Sequence, residues 1–462
     1  MRKHQTDKGI FIATFILVLV GTIMISIVGP SYTNIQNVAY GTNEDPDSTL
    51  RSQIFFVALS FLAMVFFMRL PLRGLMDGKK KIQRGMGKCL NILPELLMWG
   101  SLLICLVMWI GSLVKLPIVE CRLGACRWIS FGPMQIQPAE LVKFGALFYF
   151  AKICTECRAV RGFEKAKKRP EEERRIIRSS SRLVDNRISY RSEGRARGFG
   201  AKTVSARSKG WQKIVGLWND FRQKKDGKVF WVKFLVPLGI AVFFIVIAQK
   251  DLGSALPLMA IAFSILLVSG ANLRSILIVI GVGLVLSGLA MIKSPHRLER
   301  LKAFMGESNS SYHVNNSLIA IGSGGLFGVG IGNTVQTAGY LPESITDSMF
   351  AVICETIGFA GAVVVLYFYW MLLSRILKVA DCTKSNFYQL VAVGIFAWIA
   401  GHVVVNITAM LGLVPLTGIT LPLLSKGGTS LLMNMAIIGL VLNISQYTMR
   451  AEIMDVERRV QK

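Results

Sequence analysis

A chain of 462 residues that is 52% hydrophobic, with a mean hydropathy of +0.50, gathers its apolar residues into repeated runs of roughly 20, the length a helix needs to cross a bilayer core. That pattern excludes a soluble globular enzyme and gives an all-α, polytopic membrane protein. The formal net charge of +26 is no nucleic-acid footprint, because residues 158–228 alone hold 22 basic and 8 acidic residues; attraction of one loop to anionic lipid is the favoured reading and nucleic acid a remote second.

Apolar runs near 10–28, 53–68, 93–113, 138–151, 230–248, 252–269, 275–292, 346–373, 387–411 and 429–448 make about ten transmembrane helices, with both termini on one side. The first run follows Arg2, Lys3 and Lys8 and lacks a small-residue cleavage site, so it reads as a retained helix with a cytoplasmic N-terminus. On that orientation the inner segments carry 41 Lys and Arg and the outer loops 10, with Lys143 and Lys233 inside spans, in agreement with retention of positive charge in the cytoplasm. The organisation is then helices 1–4 in 1–151, a basic, largely disordered cytoplasmic loop 152–229, helices 5–10 with a large outer loop 293–345 in 230–448, and a cytoplasmic tail 449–462.

The outer loop before the fourth span holds Cys121 and Cys126, for which an oxidising compartment would permit a small disulfide. The fourth span opens with "QPAELVKF", where Glu140 and Lys143, spaced i, i+3, share a helix face in the outer part of the membrane. Cys154 and Cys157 at its inner end form a CxxC, read as two ordinary thiols before a redox or metal pair. Within the basic loop, "GWQKIVGLWNDFRQK" (210–224) sets Trp211, Ile214, Leu217, Trp218 and Phe221 at helical spacing, suiting an interfacial amphipathic helix.

Only Gln249, Lys250 and Asp251 separate the fifth and sixth spans, and Asp251 sits where a carboxylate is stabilised by the amides of a helix start. In the loop after the seventh span, "SPHRLERLKAF" (294–304) interleaves Arg297, Arg300 and Lys302 with Leu298, Leu301 and Phe304. It suits phosphates at a membrane surface, and a plain solvated helix equally well. The run "GSGGLFGVGIGN" (322–333) permits close backbone approach but lacks the Walker A lysine, so no nucleotide is expected there. Glu355 lies about two turns into the eighth span. Intramembrane charges are costly and normally face a cavity or a partner. Glu140, Lys143, Asp251 and Glu355 are therefore expected to converge at one depth; the structural alternative is an interior ion pair with interface-capping acids.

These segments also carry a resemblance. "CRWISFGPMQIQPAELVKF" (126–144), "QKDLGSAL" (249–256), "SLIAIGSGGLFGVGIGNTVQTAGYLPESITDSMFAVICETIGF" (317–359) and "GLVPLTGITLPLLSKGGTS" (412–430) resemble motif blocks of the SEDS family (shape, elongation, division and sporulation proteins, including FtsW, RodA and SpoVE). "GITLP" and "LVLNIS" (440–445) lean toward its division type. The resemblance covers nearly the whole chain outside 158–228. It departs at Lys250 for Pro, Ala139 for Ser, Lys426 for Tyr, Thr356 for a second Glu, and His313 and Asn316 where Gln is usual.

The resemblance implies an inverting peptidoglycan glycosyltransferase that polymerises lipid II on the outer face of the bacterial cytoplasmic membrane, releasing undecaprenyl pyrophosphate, for septal wall synthesis. It implies a class B penicillin-binding protein and other division proteins as partners, and no nucleic acid. The family's essential acid falls on Asp251, its motif Glu and Lys on Glu140 and Lys143, and a further Glu on Glu355. A sugar hydroxyl attacking an anomeric carbon needs a base and the diphosphate leaving group needs positive charge. Asp251 is assigned the first role, Lys143, Arg297 and Arg300 the second, with Glu140 and Glu355 as further substrate-binding residues. No cofactor is implied with certainty; a divalent cation, magnesium or manganese, could share the phosphate task. A lipid II flippase and a non-catalytic division scaffold remain as alternatives.

Overall fold

The computed structural model describes residues 6–41, 43–70, 86–114, 116, 118–122, 125–131, 134–156, 230–271, 277, 281, 283, 288, 312–383 and 385–448. The stretch 158–228 with its amphipathic segment, Cys157, most of the predicted span 275–292, and Arg297, Arg300 and Lys302 lie outside the described residues. Met1–Lys152 and Leu238–Lys462 form one compact unit, Ile153–Pro237 another.

In chain order the elements are α1 (Lys8–Tyr40), α2 (Ser48–Arg69), α3 (Met86–Val114), β1 (Val119–Arg122), β2 (Ala125–Phe131), β3 (Met134–Ile136), α4 (138–156), α5 (230–243) running into a π-helical turn (Phe244–Ala248), α6 (Leu252–Val268), α7 (Tyr312–Ser323), a second π turn (Gln336–Tyr340), α8 (Met349–Asp381), α9 (Asn386–Met410) and α10 (Gly428–Ser445). Among the described residues seven helices are long and apolar enough to cross a membrane, and Leu252–Val268 is a shorter apolar helix of 17 residues. The fold is that of a polytopic helical membrane protein.

α1 shows why these segments suit lipid. The Asp7 carboxylate accepts from the Gly9 and Ile10 amides and so caps the first turn. Ile10, Ala13, Leu17 and Met24 are buried, whereas Phe11, Phe15, Leu19 and Ile23, each four residues on, are exposed. A helix apolar on its outer stripe as well as its inner one has a hydrocarbon neighbour on both sides. α1 also runs beyond the expected end of its span, to a left-handed Gly41 at φ 63°.

The segment 114–137, read from the sequence as loop, contains a three-stranded antiparallel sheet in the order β1-β2-β3. Cys121 stands opposite Cys126 in the register, and the two form the disulfide, Cα to Cα 4.0 Å. The Glu120 carboxylate accepts from Ser130 Oγ at 2.9 Å and Gln135 Nε2 at 2.7 Å, so one side chain on β1 ties the other two strands.

The glycine run 322–333 has a structural use. α8 breaks at Gly358 (φ 79°, ψ −168°), which frees backbone groups that lipid cannot satisfy. The run supplies the partners: Val329 and Gly330 N–H donate to the carbonyls of Glu355 and Thr356, and Phe359 and Ala360 N–H donate to those of Gly325 and Leu326. A Cβ at 358 would meet the Gly328 nitrogen at 2.2 Å, so only glycine fits the kink. In the helical core α6 packs on α9, α9 on α8, α8 on α1, and α2 on α10.

Candidate functional site

Asp251 is the N-cap of α6 and is 5% exposed. Its Oδ1 accepts from Ser254 N–H at 3.1 Å; its Oδ2 accepts from Ser254 Oγ at 2.7 Å and from Gln137 Nε2 at 2.9 Å. Among the described residues the carboxylate makes no ion pair and is held by neutral donors alone. The turn feeding it is tight. The π turn ends α5, Gln249 is wholly buried with its amide on Cys105 Sγ at 3.2 Å, and the Asp251 N–H donates to Ile245 O at 2.9 Å. Lys250, between them, sits at φ 53°, a left-handed conformation that side-chain-bearing residues avoid at a cost of roughly 1–2 kcal/mol. Arg127 on β2 donates from Nη2 to the Lys250 carbonyl at 2.8 Å. The start of α6 lies directly against the 411–427 connection: a Cβ at Gly253 would meet Thr417 O at 2.7 Å.

One turn along α4 from Gln137, Glu140 and Lys143 form the ion pair expected from their spacing, Oε1 to Nζ 2.7 Å. Lys143 is fully enclosed: its ammonium also meets His402 Nε2 at 3.1 Å and lies 4.9 Å from the centre of the Trp398 ring. His402 Nδ1 lies 2.8 Å from the Trp398 carbonyl, which can only accept. The network therefore assigns the proton to Nδ1 and leaves Nε2 to accept from the lysine. Glu140 Oε2 is buried without a hydrogen-bond partner among the described residues.

Glu355 is in a different setting. It is 1% exposed on α8; Oε1 accepts from Gln336 N–H at 2.8 Å, and Oε2 accepts from Thr337 N–H at 2.8 Å and closely from the Thr337 hydroxyl. Its carboxylate thus anchors the start of the second π turn. Of the predicted residues, the structure joins Glu140 to Lys143, links them through α4 and Gln137 to Asp251, and engages Glu355 in loop support; Arg297 and Arg300 are outside the described residues. Sequence reasoning passed over Gln137, Ser254, Arg127, His402 and Trp398. Gln137 and Arg127 lie inside the motif block 126–144, and a polar residue at such a block was the available signal. His402 is a lone histidine in an apolar helix, which by itself indicates nothing.

A buried carboxylate at a helix start, held by Ser254 of that helix and by Gln137 from the entry to α4, can act as a proton acceptor for a hydroxyl nucleophile. Among the described residues no three His, Cys, Asp or Glu side chains stand together as a metal cluster.

A family model described as "Cell cycle protein" (FTSW_RODA_SPOVE) matches residues 8–179 and 217–450. Stage V sporulation protein E of Bacillus subtilis (strain 168) is 26% identical over 454 residues, covering 97% of this chain and 99% of that protein. A protein of Tolumonas auensis named probable peptidoglycan glycosyltransferase FtsW is 31% identical over 348 residues, covering 73% of this chain and 70% of that one. Among solved structures, a chain of a peptidoglycan synthase complex that coordinates polymerization and crosslinking matches with a TM-score of 0.60 at 21% identity, covering 96% of this chain and 98% of that one. The rod shape determining protein RodA of Thermus thermophilus matches with a TM-score of 0.54 at 23% identity and the same coverage. At these identities the structural matches show a shared fold.

Proposed function

The chain belongs to the FtsW–RodA–SpoVE family of cell cycle proteins, and on that premise we propose that it is a peptidoglycan glycosyltransferase polymerising lipid II at the outer face of the bacterial cytoplasmic membrane. The acceptor sugar hydroxyl attacks the anomeric carbon of the donor, its proton passes to the Asp251 carboxylate, and the lipid diphosphate leaves with the bonding electrons, inverting the centre. The observation that carries this reading is the setting of Asp251, a buried carboxylate with no ion pair among the described residues, held by Gln137 and Ser254.

Arg297 and Arg300 are our candidates for the diphosphate; the Lys143 ammonium, enclosed with Glu140, His402 and the Trp398 ring, supports the packing of α4 instead. A divalent cation, where one takes part, would be held by Asp251 together with the diphosphate oxygens. The division-type motifs support septal wall synthesis, with a class B penicillin-binding protein crosslinking the strands as they form. The peptidoglycan synthase complex that shares the fold, described as coordinating polymerization and crosslinking, supports that pairing.

The test is polymerisation of purified lipid II by the full chain in detergent. Asp251→Asn keeps shape and most hydrogen bonding, so folding should survive while the rate falls by roughly 10²- to 10⁴-fold, the contribution of general-base assistance. A metal-ligand role separates from a base by partial rescue of the variant at raised divalent-ion concentration. Wild-type polymerisation by Asp251→Asn would move a flippase or scaffold ahead of the enzymatic reading.

A further inference from the structure

We propose that Arg127 and Gln137 are positioning residues for this reaction, together gripping the strained turn that aims Asp251. The inference rests on the glycosyltransferase reading above, and it follows from where four hydrogen bonds converge. A non-glycine residue at φ 53° persists only where its surroundings over-determine it, and such residues cluster at functional sites. Two of the constraints on Lys250 come from its own segment: the Gln249 N–H on Phe244 O and the Asp251 N–H on Ile245 O, both 2.9 Å. The other two come from the sheet and its exit. Arg127 on β2 holds the carbonyl of Lys250 at 2.8 Å, the peptide group directly preceding Asp251. Gln137, at the exit of β3 into α4, holds the Asp251 carboxylate itself at 2.9 Å and reaches Ser254 Oγ at 3.4 Å.

The sheet is built to carry that load. Glu120 ties Ser130 and Gln135 across the three strands, Cys121–Cys126 closes the hairpin, and Thr429 Oγ1 on α10 donates to the Gln135 carbonyl two residues before Gln137. The turn is thus held from outside at one point on its backbone and one on its functional group, which fixes both the position and the rotation of the carboxylate. Arg127 and Gln137 act through Asp251.

The experiment measures kcat and KM for lipid II with the full chain for wild type, Asp251→Asn, Arg127→Ala, Arg127→Lys, Gln137→Ala, Gln137→Asn and the double variant Arg127→Ala/Lys250→Gly. Misplacing a catalytic group by about 1 Å costs on the order of 100-fold. Arg127→Ala and Gln137→Ala are therefore expected to lower kcat by roughly 10- to 100-fold with KM within about two-fold of wild type. Arg127→Lys, which keeps a donor, should lose less than Arg127→Ala. Lys250→Gly in the Arg127→Ala background should recover much of kcat, because glycine adopts the left-handed conformation without the grip. Rescue of kcat at an unchanged melting temperature separates this role from a merely structural one, which glycine at 250 would rescue through stability. If Arg127→Ala does not fold, Arg127→Lys and Gln137→Asn carry the same comparison. The inference is overturned if wild type polymerises and Asp251→Asn does not, yet the variants at 127 and 137 keep the wild-type kcat. It is also overturned if their loss appears in KM, or if glycine at 250 restores nothing. An inactive wild type, or an active Asp251→Asn, would instead sink the glycosyltransferase reading beneath it.

Discussion

Two buried acids are reached from the start of α4, Asp251 through its hydrogen bond with Gln137 and Glu140 one turn along the helix, and they are treated in opposite ways. Glu140 is matched with a full positive charge, and that charge is closed in by an imidazole and an indole face. Asp251 is given only neutral donors, on a turn held in an unfavourable backbone conformation. In a neutralised cluster of this kind the charges are spent on each other; a carboxylate gripped by amide and hydroxyl has no such partner among the described residues. On the proposed reading of Asp251, it is the hydrogen-bonding partner, rather than depth in the membrane or charge type, that separates the two acids.

The comparison breaks most visibly at Lys143. Lys143→Met leaves the Glu140 carboxylate buried and uncompensated, a loss typically of ~3 to 5 kcal/mol. A thermal melt of the purified protein should show it, with the molecules that remain folded still polymerising. Asp251→Asn should give the converse, a near-native melt and a collapsed rate. If Lys143→Met melted like wild type and lost only activity, the assignment of the pair to support would be wrong. Adding Glu140→Gln to Lys143→Met sharpens the contrast: the double variant should recover more than half of the lost stability, and strictly additive losses would argue against pairing.

A smaller effect is expected at Glu355, whose carboxylate accepts from Gln336 and Thr337. Glu355→Gln presents an amide nitrogen where a donor already points, costing about 1–3 kcal/mol locally. Hydrogen exchange should speed up across 336–340 while the melting of the bundle stays near wild type. Unchanged exchange there would return Glu355 to the candidates for substrate contact. The smallest effect belongs to Asp7, partly exposed, which caps α1 and meets Arg375 at 3.2 Å. Asp7→Ala should cost about 1 kcal/mol and leave polymerisation intact; a large loss of rate would mean that the far end of the bundle is coupled to the site.

Much of this was legible in the sequence. Runs of apolar residues located the long helices because lipid demands them, and the i, i+3 spacing of Glu140 and Lys143 determined their pairing because a helix leaves such neighbours on one face. Asp251 could be placed at a helix start for a similarly local reason. What stayed hidden was lateral. Glu355 lies at a suitable depth along its own helix, but counting residues from a span end gives height and not azimuth, so its use by Gln336 and Thr337 had no local signature. The sheet was missed because its strands are four, seven and three residues long; the pair of cysteines five apart was its one hint. Arg127 and His402 acquire meaning only through contacts 123 and 259 positions away in the chain.

The π turn at Phe244–Ala248 makes the length of this connection matter as much as its composition. A π turn holds one residue more than the α-helical path it replaces, and such turns are frequent at functional sites. Deleting one residue inside the turn would let the helix close with α spacing while its two ends stay in phase, whereas deleting one from the regular part of α5 has no extra residue to absorb it and would rotate everything after it by about 100°. Gln249 would then swing away from Cys105 and Asp251 out of reach of Gln137. Single-residue deletions should therefore be tolerated within these five positions and not in the α-helical turns before them.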